Sequence, residues 1–558
     1  MKQTIIMKNN TFFKVFIIVI IGFLFRIYLL DKPEGFWNDE YVGWFIASEQ
    51  NWKILFEKII TNCHTPLYYL YVKLWMFLFD DSDTTLRWSS VLPSTLSIIS
   101  MYFVGKQLKD KNLGILCSLF TAISSFLIYF AQEFRLYSLI FLISSLVSLY
   151  FIKVVKKHNS KDLLIFFILN AILCATHSLG IIFSFYICIL LLMHFNLEKE
   201  KINLYYLIPL ILTVIALSPI LYTFAFSKSL SQFWSDFSIN KIAYNLIDYY
   251  SPIITNTQNT YYSFISNIYD GIKLNYNFLI FGLTPTIIGM FCLIKAIINK
   301  NRTLNLLLIA SGLFYLTLVV LSILGKLILI TKYSIELYPI LILASAYGLT
   351  TIKNIKTKNI TITILILINL LYLCYSPSSA MKIIRTEGHK LATDLINNSK
   401  LKENDYILLT YYDIDRFDRY FNKQKNLNIY SISKFNFNYF MFNEPNYHKI
   451  LKSGKIDYKN EITSKENLIL NNYIDSEILS KLQKNQRIGY LFLNTVSFID
   501  EEKINEISTD DKEYNNTHLI YLIFSSLKNN LINLSNKKLM LEEIHSNGDW
   551  TLIIYKKD

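Results

Sequence analysis

Long apolar segments recur along the first two thirds of the chain, and most of them are long enough to cross a membrane. A helix of about 20 apolar residues spans the hydrocarbon core, because only a helix satisfies its own backbone polar groups without water. Hydrophobic residues make up 53% of the 558 positions and charged residues only 17%, which is typical of membrane proteins. We predict eleven spans, at 12–30, 88–107, 113–131, 136–155, 162–178, 180–196, 204–226, 277–297, 304–324, 333–350 and 358–376. The shorter apolar stretch 67–79 is predicted to lie in the interface as an amphipathic helix.

Lysine and arginine indicate the orientation of these spans, because both are enriched in cytoplasmic loops. They are several-fold denser in one alternate set of connecting segments, which places the N-terminus inside and, after eleven spans, the C-terminal region outside. The first span contains Arg26 and is followed by no small-residue cleavage site, so we predict a retained anchor. Inner-loop lysines account for much of the net charge of +13, so we predict no nucleic-acid partner.

Hydropathy falls near residue 376 and divides the chain into two predicted domains. Residues 1–376 form the predicted transmembrane domain, and residues 227–276 are a long predicted outer loop within it. Residues 377–558 are predicted to form an extracytoplasmic mixed α/β domain, with a helix at 389–398. Its predicted strands lie at 406–409, 488–493, 519–524 and 550–555. The six cysteines are scattered and form neither a disulfide framework nor a metal-ligand spacing.

Two adjacent acids, Asp39 and Glu40, follow the first span, with Trp37 just before them. Charged residues are costly where lipid begins, so a cluster there indicates a function. Neighbouring carboxylates repel each other, and one of them can then acquire a pKa suited to taking a proton. The alternative is a solvated acidic turn that begins a helix.

A second polar segment, Gln132-Glu133-Phe134-Arg135-Leu136-Tyr137-Ser138, joins the third and fourth predicted spans on the same face. Its arginine, Arg135, is suited to bidentate contact with a phosphate. The alternatives are that Arg135 reaches toward lipid headgroups or pairs with Glu133.

Three further residues lie at predicted outer ends of apolar stretches: His64, His177 and Lys332. Either histidine could orient a carboxylate, contact a phosphate or bind a metal, although no local ligand spacing supports a metal. Lys332 could hold a lipid phosphate, or it could pair with Glu336 four residues later. Arg87 follows several aspartates and is most simply an ion-pair partner with a structural role.

Taken in order, these segments resemble the integral-membrane GT-C glycosyltransferases, most closely the protein-mannosyltransferase and lipid A aminoarabinose-transferase branch. The resemblance rests on the Asp-Glu pair after span one, the His-x-Pro-Leu-Tyr segment at 64–68, the Leu-Arg-x-x-Ser entry at 86–90 and the Gln-Glu-x-Arg-x-Tyr-Ser segment at 132–138. The order and topology match over roughly residues 10–350. The resemblance implies an α-helical polytopic GT-C-like fold in the cell membrane.

The resemblance also implies a sugar donor linked to a polyprenyl phosphate, an extracytoplasmic active site, and direct displacement with inversion at the anomeric carbon. Asp39 would be the base, Glu40 would assist it or position the acceptor, and Arg135 would lie near the donor phosphate. Lys332 stands where the family often has an arginine, so a bidentate phosphate contact is not expected there. We therefore predict catalytic roles for Asp39 and Glu40, and substrate binding by Trp37, His64, Gln132, Glu133, Arg135, Tyr137, His177 and Lys332.

The residues leave some questions open. Some relatives hold a divalent metal near the site and others need none, and the acceptor is a protein, a lipid or a glycan. A transporter or flippase for lipid-linked glycans is a second function, and a polysaccharide polymerase or ligase a third. Only 16 glycines occur, so we expect no broken spans of the kind that transporters use. A transferase would carry its charges at the outer surface, whereas a transporter would carry them near the midplane.

Overall fold

Helices account for most of the described residues in the first unit of the computed structural model. The structure describes residues 2–31, 35–36, 38–199, 204–226, 240–251, 280, 283–324, 328–375, 389–409, 427–431, 479, 481–493, 539–546 and 550–557. The chain divides into two units, the first comprising Met1–Pro33 with Asn38–Ile384 and the second Glu34–Trp37 with Arg385–Asp558.

The described helices of the first unit are α1 (Lys2–Ile27), α2 (Asn38–Ala47), α3 (Trp52–Thr61), α4 (Pro66–Leu78), α5 (Asp83–Leu108), α6 (Lys111–Ile123), α7 (Ser125–Ala131), α8 (Tyr137–Lys157), α9 (Ser160–Thr176), α10 (Gly180–Leu197), α11 (Ile208–Ala216), α12 (Ser218–Phe226), α13 (Asn240–Tyr250), α14 (Thr284–Ile298), α15 (Arg302–Ile323), α16 (Tyr338–Thr350) and α17 (Ile355–Tyr375). Two 3-10 helices, Leu204–Leu207 and Thr331–Leu337, precede α11 and α16.

Each of the eleven predicted spans contains described helix. Among the described residues, α8, α10 and α15 are long and apolar enough to cross a membrane, and the bent pair α6–α7 makes a fourth candidate. The count of eleven therefore stays a prediction. Part of the predicted outer loop 227–276 is helical, since α13 lies within it. The predicted interfacial stretch 67–79 coincides with α4.

The expectation of unbroken spans is wrong, because α6 and α7 meet at an angle of 57°. Ser124 occupies the break in an extended conformation, and its Oγ accepts a hydrogen bond from the N–H of Leu127, 3.3 Å away. A serine can therefore replace glycine at such a break by capping the helix that follows it.

Arg26 satisfies the carbonyl groups that this break leaves without helical partners. Its guanidinium is fully buried and donates to the carbonyl oxygens of Thr121 at 3.0 Å and Ala122 at 3.1 Å. The same side chain donates to Ser94 Oγ and to the carbonyl oxygen of Gly22, both at 2.8 Å. A cation at the C-terminal end of a helix also interacts favourably with the helix dipole. Arg26 therefore joins α1 to α5 and to the end of α6.

Small residues let α5 and α6 approach closely. A Cβ placed on Gly105 would lie 2.8 Å from the carbonyl oxygen of Leu113, and one on Gly114 would lie 2.6 Å from that of Tyr102. Helices in a membrane pack through such close contacts, because lipid provides no hydrophobic drive for their association. These two glycines allow the backbone of α5 to lie against that of α6.

The described part of the second unit contains a five-stranded sheet and one helix, α18 (His389–Asn398). The strands are β1 (Tyr406–Leu409), β2 (Asn428–Ser431), β3 (Arg487–Leu493), β4 (Met540–Ser546) and β5 (Trp550–Lys556). Their order is β2-β1-β3-β5-β4, with β1 parallel to β2 and β3, and β5 antiparallel to β3 and β4. Three predicted strands are confirmed, and the fourth, 519–524, lies outside the described residues.

We expect replacement of Arg26 by methionine to destabilise the helical unit. The carbonyl oxygens of Thr121 and Ala122 would be left buried without donors, at about 1–3 kcal/mol for each unsatisfied group. Ser94→Ala is the matched control, because it removes one neutral partner and should lower stability by about 1 kcal/mol. Thermal unfolding in detergent, followed by dye labelling of the buried cysteines, measures both. Equal midpoints for the two variants would contradict this role for Arg26.

Candidate active site

A buried ion pair fixes the position of the site within the helical unit. Arg87 of α5 donates from Nε to Glu40 Oε1 at 3.0 Å and from Nη2 to Oε2 at 2.9 Å. The backbone N–H of Phe134 donates to Glu40 Oε1 at 2.8 Å. The side chains of Arg87 and Glu40 are 1% and 0% exposed. Glu40 thus joins α2, α5 and the segment between α7 and α8.

This geometry gives Glu40 a structural role, and the catalytic role predicted for Glu40 stays a prediction. Both carboxylate oxygens face the protein interior and accept hydrogen bonds there, so the group is a structural anchor. Arg87 is an ion-pair partner, as predicted, and it makes a bidentate pair with Glu40, which precedes it by more than forty residues.

The neighbouring carboxylate, Asp39, lies in a different environment. Both acids occupy the first turn of α2, where the helix dipole favours negative charge. Lys332 Nζ donates to Asp39 Oδ2 at 3.0 Å, and the two side chains are 19% and 24% exposed. Arg135 Nη1 donates to the backbone carbonyl oxygen of Asp39 at 2.8 Å. An accessible carboxylate therefore lies beside two cations.

The charges around Asp39 outweigh its burial. Burial alone would raise the pKa of Asp39, but the positive charges of Lys332 and Arg135 lower it to about 2. Burial likewise opposes the charge of Lys332, yet Asp39 raises the pKa of this lysine well above its ordinary value. The ring of Tyr137, whose centroid is 5.8 Å from Lys332 Nζ, adds a cation–π contact. The resting site thus holds a charged carboxylate and a charged ammonium.

Arg135 has a hydrogen-bond donor that the described residues do not use. Its Nε is buried and has no hydrogen-bond partner among the described residues. A guanidinium can bind two oxygens of one phosphate or carboxylate side by side. The predicted role of Arg135 in binding an anion fits this arrangement.

His64 lies between α3 and α4, where its Nδ1 is hydrogen-bonded to the hydroxyl of Tyr69. Burial, with the positive charge of Arg135, lowers the pKa of His64 to about 3. The imidazole is therefore neutral at ordinary pH, and it interacts electrostatically with Asp39 and with His177.

His177 follows the last residue of α9 and pairs through Nδ1 with Glu336 Oε1. Lys332 and Glu336 share the 3-10 helix Thr331–Leu337. The alternative of a Lys332–Glu336 pair is replaced by two other pairs, since Lys332 binds Asp39 and Glu336 binds His177.

The remaining predicted residues have different positions. Gln132 donates from Nε2 to the carbonyl oxygens of Tyr28 at 2.8 Å and Phe25 at 3.3 Å, so this nitrogen holds the end of α1, and the substrate contact stays a prediction. Glu133 is buried and lies close enough to influence Lys332. Trp37 lies outside the described residues.

A group of polar residues on α13 lies against the 3-10 helix Thr331–Leu337 and was not predicted from the sequence. Thr331 Oγ1 donates to Asn245 Oδ1 at 2.6 Å or to Asp248 Oδ2 at 2.7 Å, and the hydroxyl of Tyr249 contacts Ser334. All of these residues are buried. The spacing of Asn245, Asp248 and Tyr249, three and four residues apart, is the signal of one helix face that could have identified them.

The described residues contain no group of three or more His, Cys, Asp or Glu side chains that could hold a metal ion. His64 and His177 each contact a protein partner instead, a tyrosine and a glutamate. The described side chains therefore do not fit a metal centre built on these ligands.

We expect Arg87→Met to lower the stability of the protein by about 3–5 kcal/mol, because it leaves the charge of Glu40 buried and unpaired. The double variant Arg87→Met with Glu40→Gln should be more stable than this single variant, since the amide oxygen can still accept from Phe134 while no charge remains. The thiol-labelling melt described above measures both. A double variant as unstable as Arg87→Met or more so would show that the charge is not the cause.

Comparison with known proteins finds similarity to glycosyltransferases. Residues 63–222 match the family model described as dolichyl-phosphate-mannose-protein mannosyltransferase. ArnT from Cupriavidus metallidurans in the apo state is 9% identical, with 98% of each chain covered and a TM-score of 0.51. The same ArnT bound to undecaprenyl phosphate is 11% identical, with 97% of each chain covered and a TM-score of 0.47.

The Archaeoglobus fulgidus oligosaccharyltransferase in complex with Zn and sulfate is also similar. It is 11% identical, with a TM-score of 0.43, and the match covers 75% of this chain but only 62% of that one. No curated protein matches the chain significantly by sequence. The resemblance predicted from the sequence is thus confirmed by the match of residues 63–222 to the mannosyltransferase family model and by the ArnT-like fold.

Proposed function

We propose that this protein is a membrane glycosyltransferase that moves a sugar from a polyprenyl-phosphate donor to an extracytoplasmic acceptor by inverting displacement. The observation that carries the proposal is the arrangement of Asp39, Lys332 and Arg135. A partly exposed carboxylate lies 3.0 Å from an ammonium, and a guanidinium with an unused donor lies against the same residue. These are the parts that a displacement with a phosphate leaving group requires.

The two cations are suited to the donor phosphate. The phosphate of a polyprenyl-phosphate sugar is a diester whose single negative charge is shared by two oxygens, so it can accept from both Lys332 and the free Nε of Arg135. The family model that matches this chain is named for a dolichyl-phosphate-linked sugar, which supports a lipid-phosphate donor. The phosphate is already a good leaving group, so the reaction needs no general acid.

Asp39 would act as the base once the donor is bound. In the resting state Lys332 and Arg135 lower the pKa of Asp39 to about 2, which makes it a weak proton acceptor. If the donor phosphate draws Lys332 away, the pKa of Asp39 rises. The acceptor oxygen then bonds to the anomeric carbon and its proton passes to Asp39. The bond from that carbon to the phosphate oxygen breaks, and its electron pair leaves with the phosphate.

The positions of the charged residues favour a transferase over a transporter. Asp39 lies in the first turn of α2, Arg135 just before α8, His177 just after α9 and Lys332 just before α16. Charges at helix ends fit chemistry at a membrane surface, whereas a transporter would hold them near the middle of its spans. The broken pair α6–α7 keeps the transporter as the alternative to be tested, and a polymerase or ligase would use the same donor class.

The remaining features of the proposal follow from the predicted topology. The protein would lie in the cell membrane with its N-terminus inside, and residues 377–558 would lie outside as a separate domain. The acceptor, whether protein, lipid or glycan, would approach from that side.

The first test is Asp39→Asn in membranes given radiolabelled polyprenyl-phosphate sugars and an acceptor-containing extract. We expect label to leave the lipid fraction about 100 to 10,000 times more slowly than with the wild type, the contribution of a general base. Asp162→Asn is the matched control, since Asp162 pairs with Lys153 at 3.9 Å on the protein surface. Full activity of Asp39→Asn would refute the role of Asp39 as the base. No loss of label from any donor, even with the wild type, would favour the transporter.

The second test compares two substitutions of Lys332. Lys332→Met removes a charge-assisted hydrogen bond and should raise the KM for the donor by about 10- to 100-fold. Lys332→Arg restores the residue that the family often has and should keep donor binding. Initial rates over a donor concentration series measure the difference. An unchanged KM for the donor in the Lys332→Met variant would show that Lys332 does not bind the phosphate.

A further inference from the structure

His177 and Glu336 form a carboxylate–imidazole pair that the proposed displacement does not use. Glu336 Oε1 binds His177 Nδ1. The glutamate side chain is 0% exposed and the histidine side chain 10% exposed, so the carboxylate lies behind the imidazole. The other carboxylate oxygen, Oε2, is buried and has no hydrogen-bond partner among the described residues.

The carboxylate determines which nitrogen of His177 carries the proton. An ionised carboxylate only accepts hydrogen bonds, so Nδ1 must donate to it. In the neutral imidazole, Nε2 is then left as an acceptor. A buried carboxyl group whose second oxygen has no hydrogen-bond partner among the described residues is costly, and orienting the imidazole gives a reason for its place here.

The pair lies next to the proposed catalytic centre. Glu336 is on the same 3-10 helix as Lys332, which contacts Asp39. Asp39 and His177 both lie close enough to His64 to affect its pKa. The adjacent segments also touch, because Ser178 Oγ donates to the carbonyl oxygen of Cys63 at 3.3 Å.

We propose that His177 binds a substrate hydroxyl group through Nε2, and that Glu336 is the residue that positions it. This inference rests on the proposed glycosyltransferase function and adds a contact to that site. The hydroxyl group belongs either to the sugar of the donor or to the acceptor. Both present the same chemistry, an O–H that donates to an imidazole nitrogen.

The test uses the full-length protein in membranes, with a radiolabelled polyprenyl-phosphate sugar that the wild type consumes and an acceptor-containing extract. We expect His177→Asn and Glu336→Gln each to lower kcat/KM by about 10- to 100-fold. The glutamine is isosteric but can donate to Nδ1, which moves the imidazole proton to Nε2. The double variant should lose no more than His177→Asn alone, since Glu336 acts through His177.

The two sources of the hydroxyl group are separated by which KM changes. A rise in the KM for the labelled donor assigns the contact to the sugar, and a rise in the amount of extract needed for half-maximal rate assigns it to the acceptor. His194→Asn is the matched control, because His194 is also buried but lies at the opposite end of α10. It should leave both values unchanged.

Several results would overturn the inference. If the His177→Asn and Glu336→Gln variants were as active as the His194→Asn control, His177 would not bind a substrate hydroxyl group. Losses that multiply in the double variant would show that Glu336 does not act through His177. In both cases the proposed function would still stand if the wild type consumes the donor and the Asp39→Asn variant does not. A wild type that consumes no donor overturns the function and this inference together.

Discussion

The bidentate pair between Arg87 and Glu40 is the interaction on which the candidate site depends. Two charges buried at 1% and 0% exposure are stable only when each satisfies the other. Because Glu40 also accepts from the backbone N–H of Phe134, the pair joins the start of α2 to α5 and to the segment that holds Arg135. The positions of Asp39 and Arg135 relative to each other follow from it.

Adjacent residues on a helix point in different directions, and this explains why Asp39 and Glu40 differ. Consecutive side chains are separated by about 100° around a helix axis. The same turn therefore directs Glu40 into the interior and Asp39 toward a partly exposed position beside Lys332. Glu40 is held in place by its buried ion pair with Arg87. Asp39 instead faces Lys332, a lysine that the donor phosphate can draw away.

Sequence alone identified the segments of the site but not the pairs within it. Asp39, Arg135 and Lys332 are predicted from their places at the outer ends of apolar segments and from the resemblance to the GT-C glycosyltransferases, and the structure brings all three together. The partner of Glu40 could not be predicted, because nothing local connects it to Arg87 in another helix. The pairing of Lys332 with Asp39 instead of Glu336 has the same cause, since spacing along a helix shows neighbours but not tertiary contacts.

The break between α6 and α7 shows why residue counts predict such features poorly. A low glycine content argued against broken helices, yet the break needs only a capping serine and a donor for the exposed carbonyl oxygens. Arg26 is that donor and comes from another helix. The carbonyl oxygens of Phe25 and Tyr28, on either side of it, hold Gln132 at the far end of α7. The end of α1 thus supports the end of α6 before the break and Gln132 after α7. Because Gln132 lies three residues before Arg135, a charge buried in the first span helps to position the cation proposed to bind the phosphate.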